Sequence, residues 1–576
     1  MAVIALPLET APSEQDKHLS LLQLFNLSAG IIGLQFAWSM QIALSSRILE
    51  PLGANPFIFG LIWCAGPITG LLIQPLVGAW SDRTWTRLGR RRPFVLAGAL
   101  LGALAIFAFP FSTTLWVAAL LTWVIDACLN TAQGPYRALV PDNAPPEQHA
   151  VANSFINFAF GAGSVIALGV APLLKMYNIP MSVEQQYVLA SIALVLTIAY
   201  ASLSIQEVKP AFLTRSTVGK APRKNGVFDA IRRFSAAHPE IHKLCGVQFI
   251  TWVGLMCMYI YLTPFVVHHV YGLPDMSTAR YKSLEQDWQL VAPIRQNLTT
   301  DALMVSGAEA AYGARKARLG LSDVAGREQA VMTILGALAV DPAVWSEKQA
   351  PALRAVQNPA HRLALAEAAL MMPDVSAPEI QQPIAVLDKA PLAQQLAHLQ
   401  YLKGLETEAV NTAQLALVAY NFVALLLTIP MGFLCARFGK KRLYSLSLLV
   451  YSVATAFAFW IHAPWQVIAM MAVAGVGGAT ILSLPFAMLC EYLSEGDEGT
   501  TLGIFNVFIC APQLISALGI GKLIEMSPML TALGVTHQWW IAFATASLFV
   551  FLSMLALQYF KERYPGRSSA AVSLGH

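Results

Sequence analysis

The stretch Gly78-Ala-Trp-Ser-Asp82-Arg83-Thr-Trp-Thr-Arg87-Leu-Gly89-Arg90-Arg91-Arg92 separates two apolar windows near 56–80 and 93–111. A related stretch, Gly432-Phe-Leu-Cys-Ala436-Arg437-Phe-Gly439-Lys440-Lys441-Arg442, separates windows near 410–435 and 441–461. Both place a glycine ahead of a basic run that itself follows a second glycine, and Ala436 stands where the first copy has the acid Asp82. Such recurrence marks an internal repeat. Working outward from the two copies, the remaining apolar windows lie near 21–46, 114–138, 150–174, 185–205, 243–270, 465–492, 500–524 and 536–560. Twelve windows result, each about the 20 residues a helix needs to cross hydrocarbon. With 56% hydrophobic and 12% charged residues, the 576-residue chain departs from soluble composition, and the bilayer is its expected solvent.

Basic residues in short loops set orientation more than the net charge of +4 does. The first repeat supplies five arginines, and 206–242 adds Lys209, Arg215, Lys220, Arg223, Lys224, Arg232 and Arg233, with Lys243 just beyond. The loops around 47–55, 110–114, 175–184 and 462–466 are poor in Lys and Arg. Both termini are therefore expected in the cytoplasm of a multi-pass cell membrane protein, either a bacterial inner membrane or a plasma membrane. Residues 1–20 lack the basic start and short apolar core of a cleavable signal. The seven cysteines are scattered through apolar windows without CxxC spacing, which reads as buried small hydrophobes rather than disulfides or a metal site.

Residues 275–408 interrupt the pattern: they are polar and Ala-rich, with helical stretches such as 325–341 and 359–372. Their longest apolar run, around 337–340, is too short to span a bilayer. The expected organisation is an N-terminal six-helix bundle (1–205), a cytoplasmic linker (206–242), the first helix of a C-terminal bundle (243–274), an extramembrane helical insertion on the outer or periplasmic side (275–408), and five further helices with a cytoplasmic tail (409–576). A lid, a docking module for a periplasmic partner and a passive loop insertion all suit the inserted segment.

Ionisable groups in spanning helices are costly and are functional candidates by default. Asp126 lies midway along the fourth window, and Asn130, Gln133 and Arg137 follow at offsets of four, seven and eleven, on one helical face. Asp126 and Arg137 stand about 16 Å apart along the axis, too far for a same-helix ion pair. A carboxylate at mid-membrane depth, whose buried charge a proton would relieve, is the expected coupling group. Amides and aromatic rings suited to sugar hydroxyls and C–H faces lie on other windows: Gln35, Trp38, Asn153, Asn157, Gln248, Trp252, Tyr259, Asn421, Asn506 and Gln513. Any one of them serves equally as interhelical glue. No GxxxxGK[ST] phosphate loop occurs, so ATP-driven transport is not expected. Glu491, Asp497 and Glu498 read as solvated loop charges. Nothing points to a cofactor, a metal or a nucleic-acid partner.

Several stretches resemble a known family as a set. They are Gly33-Leu-Gln35-Phe-Ala-Trp38, Trp63-Cys-Ala-Gly66-Pro67-Ile-Thr-Gly70, Gln74-Pro75-Leu-Val-Gly78, Gly89-Arg-Arg-Arg-Pro93-Phe94 and Asp126 … Asn130-Thr-Ala-Gln133-Gly134-Pro135-Tyr-Arg137, with Ala152-Asn153-Ser-Phe155, Leu484-Pro485-Phe-Ala487 and Asn506 … Pro512-Gln513. The chain is similar to the glycoside/proton symporter family of the major facilitator superfamily, which includes plant sucrose carriers and their bacterial and animal relatives. The resemblance implies a fold of two six-helix bundles, and not an enzyme but a monomeric alternating-access carrier. It also implies a gating motif in Gly78, Asp82, Arg83, Gly89, Arg90, Arg91 and Arg92, a proton-binding Asp126, and Arg137 as its basic partner in the path. The implied substrate is a disaccharide glucoside such as sucrose or maltose; a monosaccharide carrier and a membrane sugar sensor that reads ligand through 275–408 are the alternatives. Where plant sucrose carriers have acids in the seventh helix, this chain has Leu262 and Pro264, and Pro56 replaces their extracellular histidine after the first helix.

Overall fold

The computed structural model describes residues 19–143, 148–205, 207, 238–276, 278–299, 302–318, 324–377, 380–381, 390–481, 483–492, 498–530 and 538–562. Most of the expected linker 206–242, and Asp497, lie outside these residues. Among them, twelve helices are long and apolar enough to cross a membrane: α1 (Leu21–Leu49), α2 (Pro56–Gly78), α3 (Arg92–Phe111), α4 (Leu115–Leu139), α5 (Phe158–Met176), α6 (Val183–Ser204), α7 (Pro239–Val270), α8 (Leu392–Thr428), α9 (Lys440–Trp460), α10 (Pro464–Leu489), α11 (Ile504–Ser527) and α12 (Trp540–Leu557). No strand occurs among the described residues. The spans start and stop for local reasons: Ser20 and Ser182 close capping boxes at α1 and α6, and Pro56 follows the Asn55 cap at α2.

The chain forms two compact units, Leu273–Glu408 and the remainder. Within the larger one, α1 packs on α5 and α6, α2 on α4, and α3 on α4 and α6; likewise α7 packs on α11 and α12, and α9 on α10 and α12. A shift of six spans maps four of the first five pairings onto the second set, so the sequence repeat is largely also a packing repeat. The outer faces are apolar: Leu104, Trp116, Leu120, Leu196, Leu426, Leu446 and Leu548 are exposed, while Asp126, Asn130 and Gln133 are buried. This inversion of the soluble pattern is what a hydrocarbon solvent selects.

The two repeat stretches fold alike at a level the sequence did not disclose. Gly89 and Gly439 both adopt positive φ, +108° and +85°, a region open to glycine at no steric cost. Each precedes the start of the third helix of its half, and each of those helix starts is met by a glutamate just past the sixth helix. Glu207 accepts from the amides of Arg90, Arg91 and Arg92 at 2.8–3.1 Å, and Glu562 from those of Lys440 and Lys441 at 2.8 and 3.4 Å. Carboxylates here satisfy orphan helix donors and complement the helix dipole.

The smaller unit is helical, including Ala279–Gln296, Ala302–Arg318, Val324–Leu338 and Pro359–Met371. The last two coincide with stretches legible as helices in the sequence. Its core is aliphatic, with Val291, Val331, Leu335, Leu353 and Leu365 fully buried, and is fenced by Arg362–Glu328 and Arg327–Glu367 pairs at 2.6 Å. Burial pushes the Asp287 carboxyl up, against the opposing pull of His361 at 2.8 Å.

Candidate functional site

Asp126 is 4% exposed in the middle of α4. Two donors from α1 hold its carboxylate: Trp38 Nε1 reaches Oδ1 at 3.4 Å and Gln41 Nε2 reaches Oδ2 at 3.3 Å. Among the described residues no basic group pairs with it. Gly66 of α2 lies beside the carboxylate; a Cβ there would lie 3.8 Å from Oδ2, an ordinary contact. One turn on, Asn130 donates to Thr69 Oγ1 and to the Asp126 carbonyl, both at 2.9 Å. Gln74 of α2 donates to Asn130 Oδ1 at 2.6 Å and to Gln133 Oε1 at 2.9 Å. A continuous polar ladder thus joins α1, α2 and α4, with the unpaired acid at its inner end. Gln41 Oε1 is buried without a partner beside that acid.

Arg137 takes up the ladder's direction beyond Gln133. Its side chain is exposed, and its guanidinium lies 5.6 Å from the centre of the Phe160 ring of α5. Cys510 of α11 is within its electrostatic reach, so Arg137 faces the second half. It makes no contact with Asp126, as the axial distance along one helix requires.

The other expected contacts distribute unevenly. Trp38, Asn130 and Gln133 join the ladder, and Gln35 packs against α5 where Gly163 comes close. Tyr259 and Tyr420 meet edge to face at 5.6 Å, and the nearby Asn421 donates to its own helix at Leu417. Asn506 and Gln513 of α11 also bond within their helix, to Cys510 Sγ at 3.8 Å and to the Ile509 carbonyl at 3.1 Å. Trp252 Nε1 is buried and unpartnered. Gln248 is 0% exposed: its Oε1 accepts from the Tyr444 hydroxyl of α9 at 3.3 Å, and its Nε2 is buried without a partner. The side chains of Asn153, Asn157, Asp82 and Arg83 lie outside the described residues. Sequence reasoning missed Gln41, Thr69 and Gln74, although the Gln74-Pro75 pair inside an apolar window was a usable signal.

Odd-numbered spans run from the end of the bundle that holds the termini to a distal end, and there the two halves are tied together. Thr263 Oγ1 donates to the Ala43 carbonyl at 2.9 Å, Asn55 Nδ2 to Glu525 at 3.2 Å and Gln414 Nε2 to Gln186 at 2.6 Å; His268 meets Glu50 at 3.1 Å. Gly60 of α2 and Gly521 of α11 allow the closest approach: added Cβ atoms would lie 1.8 Å from the Ala517 carbonyl oxygen and 2.5 Å from that of Pro56. The structure is closed at this end. At the terminal end, Gly78 has open space beside it, and Arg91 Nη1 donates to Ser81 at 2.7 Å, tying the gating stretch within its own half. Glu491, read as a solvated charge, is instead 6% exposed and paired with Lys440 at 2.5 Å, because α10 ends where the second basic repeat begins.

The Major Facilitator Superfamily model matches residues 27–340 and 397–573. A general alpha-glucoside permease of Schizosaccharomyces pombe is 26% identical over 550 residues, which is 88% of this chain and 87% of the permease. Shorter matches include a sucrose transport protein of Arabidopsis thaliana, 32% identical over 26% of this chain and 29% of that protein. Another, from Oryza sativa subsp. japonica, is 26% identical over 44% of this chain and 54% of that protein. Among solved structures, the nucleoside transporter NupG (D323A mutant) superposes with a TM-score of 0.54 at 12% identity, covering 94% of this chain and 99% of NupG. A D-xylose-proton symporter gives 0.51 at 12% identity, covering 95% and 100%. These two likenesses concern the fold.

Proposed function

This chain belongs to the Major Facilitator Superfamily, and we propose that it carries a glucoside sugar across its membrane by alternating access, with one proton moving alongside on Asp126. It is a transporter and not an enzyme. The observation that carries the proposal is the carboxylate of Asp126, buried at mid-span, paired with no cation among the described residues and bonded only through neutral donors. A proton removes the cost of that buried charge, and the amide ladder beside it supplies donors and acceptors for hydroxyl groups. The alpha-glucoside permease, matched over most of both chains, supports a glucoside as cargo. Both termini face the cytoplasm in this reading, so the distal closure corresponds to a carrier shut toward the outside. The test is uptake of labelled sucrose, maltose and glucose into vesicles of the purified protein under an imposed proton gradient, with internal pH recorded. Sugar binding without sugar movement would replace carriage by sensing.

Arg137→Lys is expected to lower the uptake rate about tenfold, because lysine loses both the planar stack on Phe160 and the two-pronged donor geometry. Arg87→Lys, on the exposed loop, is the comparison and should stay near wild type; equal rates for the two variants would remove Arg137 from the path.

The insertion is proposed as an external module that the transport cycle does not need, since the part of α8 beyond Glu408 completes the second half together with the other spans. Joining Gly272 to Glu408 through a short flexible linker should give a protein that inserts and transports within about twofold of wild type, a margin that fits the tolerance of surface insertions. Loss of uptake in a deletion variant that melts cooperatively would make the module a gate or an obligatory docking site.

A further inference from the structure

We propose that a cleft at the terminal end of the second half is a binding site for the phosphate of an anionic phospholipid. The cleft holds about 960 Å³ and lies where α7 and α9 begin and α8 and α12 give way to loops. Five cations line it, Lys243, Arg437, Lys441, Arg442 and Lys561, against one carboxylate, Glu562. That carboxylate is already committed to the amides of Lys440 and Lys441. Two of the cations are engaged as well: Lys243 pairs with Glu240 at 2.6 Å, and Lys441 Nζ caps the end of α12 through the carbonyls of Gln558 and Phe560, both at 2.7 Å.

Arg437, Arg442 and Lys561 remain, all three exposed, and among the described residues no carboxylate forms a salt bridge with their side chains; Glu240 accepts from the Lys561 backbone amide at 2.6 Å. The Arg437 guanidinium carbon lies 5.3 Å from the centre of the Phe438 ring. Three cations in one cleft whose neighbouring carboxylates are bonded to backbone amides call for an anion, and arginine forks suit the oxygens of a phosphate.

The surroundings select a lipid over a free ion. Lys440 opens α9 and Leu557 closes α12, so the cleft lies at the headgroup level of the bilayer. From it, Leu434, Phe438, Leu555 and Tyr559 present an exposed apolar face running into the spans, a path for acyl chains. Basic clefts between membrane helices near the headgroups are known lipid-phosphate sites in general.

The experiment uses the full-length purified chain in mixed micelles holding equal phosphatidylglycerol and phosphatidylcholine, with retained lipid read by native mass spectrometry. A parallel titration uses inorganic phosphate. The wild type should retain phosphatidylglycerol selectively, and Arg437→Gln with Arg442→Gln should cut that retention roughly 30-fold, about fivefold per charge removed at the membrane surface. Phosphatidylcholine retention should not change, and the doubly substituted Arg→Lys protein should keep most of the selectivity. Should the double glutamine variant fail to fold, Arg442→Gln alone is read against the fivefold expectation. Equal phosphatidylglycerol retention by wild type and a folded glutamine variant would overturn the proposal. So would equal retention of the two lipids, or saturable binding of inorganic phosphate with no lipid selectivity.

Discussion

Asp126→Asn is expected to abolish uphill sugar accumulation while leaving sugar binding and downhill exchange in place. A one-unit proton gradient sustains about a tenfold sugar gradient at one proton per sugar, since each is a factor of ten in chemical potential. In the variant the ratio should fall to one. Asparagine keeps the volume of the side chain and the acceptor that Trp38 Nε1 bonds at 3.4 Å. Its new amino group would oppose Gln41 Nε2, which now donates to Oδ2 at 3.3 Å, but the buried and unpartnered Gln41 Oε1 offers a remedy. Rotation of the Gln41 amide turns that oxygen toward position 126, and the orphan acceptor gains a donor. A protonated Asp126 would be received the same way, so the variant mimics the loaded state without the means to leave it. Uptake with simultaneous internal pH recording is the measurement; proton-coupled accumulation at wild-type stoichiometry would falsify the assignment and direct attention to another ionisable group such as Glu491.

Gly60→Leu should reduce transport in both directions by about a hundredfold or more without unfolding the protein. A Cβ on Gly60 would lie 1.8 Å from the Ala517 carbonyl oxygen, a backbone atom on the opposing half that cannot swing aside. Overlap of that size costs more than the small margins by which packed states interconvert, so the distal end would be held apart. The spans themselves remain intact, because the clash lies between the halves and not within either. The variant should therefore keep its helical content and melt cooperatively, yet fail at the step that needs distal closure. The check combines uptake and counterflow rates with reaction of a distal probe such as a cysteine at Pro56. Near-normal counterflow would show that the α2–α11 contact is not part of the cycle.

Much of the architecture was legible before any coordinates, and the reason is local. Whether a window crosses hydrocarbon depends on its own composition and length, so the twelve spans follow from hydropathy, and their repeat from the glycine-and-basic stretches at 78–92 and 432–442. Helical periodicity is equally local, which is why Asp126, Asn130, Gln133 and Arg137 were grouped on one face of α4 from their offsets.

What the tertiary structure decided is which groups those faces meet. Gln41, Thr69 and Gln74 became partners of the α4 stripe through the crossing of α1 and α2 with α4, a geometry that apolar windows do not encode. Gln248 shared the chemistry of the other candidate amides but faces Tyr444 of α9, since identical residue types on one helix point to different neighbours. Glu207 and Glu562 meet helix starts 115 to 122 residues away along the chain, and Glu491 finds Lys440 across 51. Hydropathy and period specify where a helix lies in the bilayer and which side is polar; the pairing of polar groups between helices is fixed only when side-chain packing sets their approach and rotation.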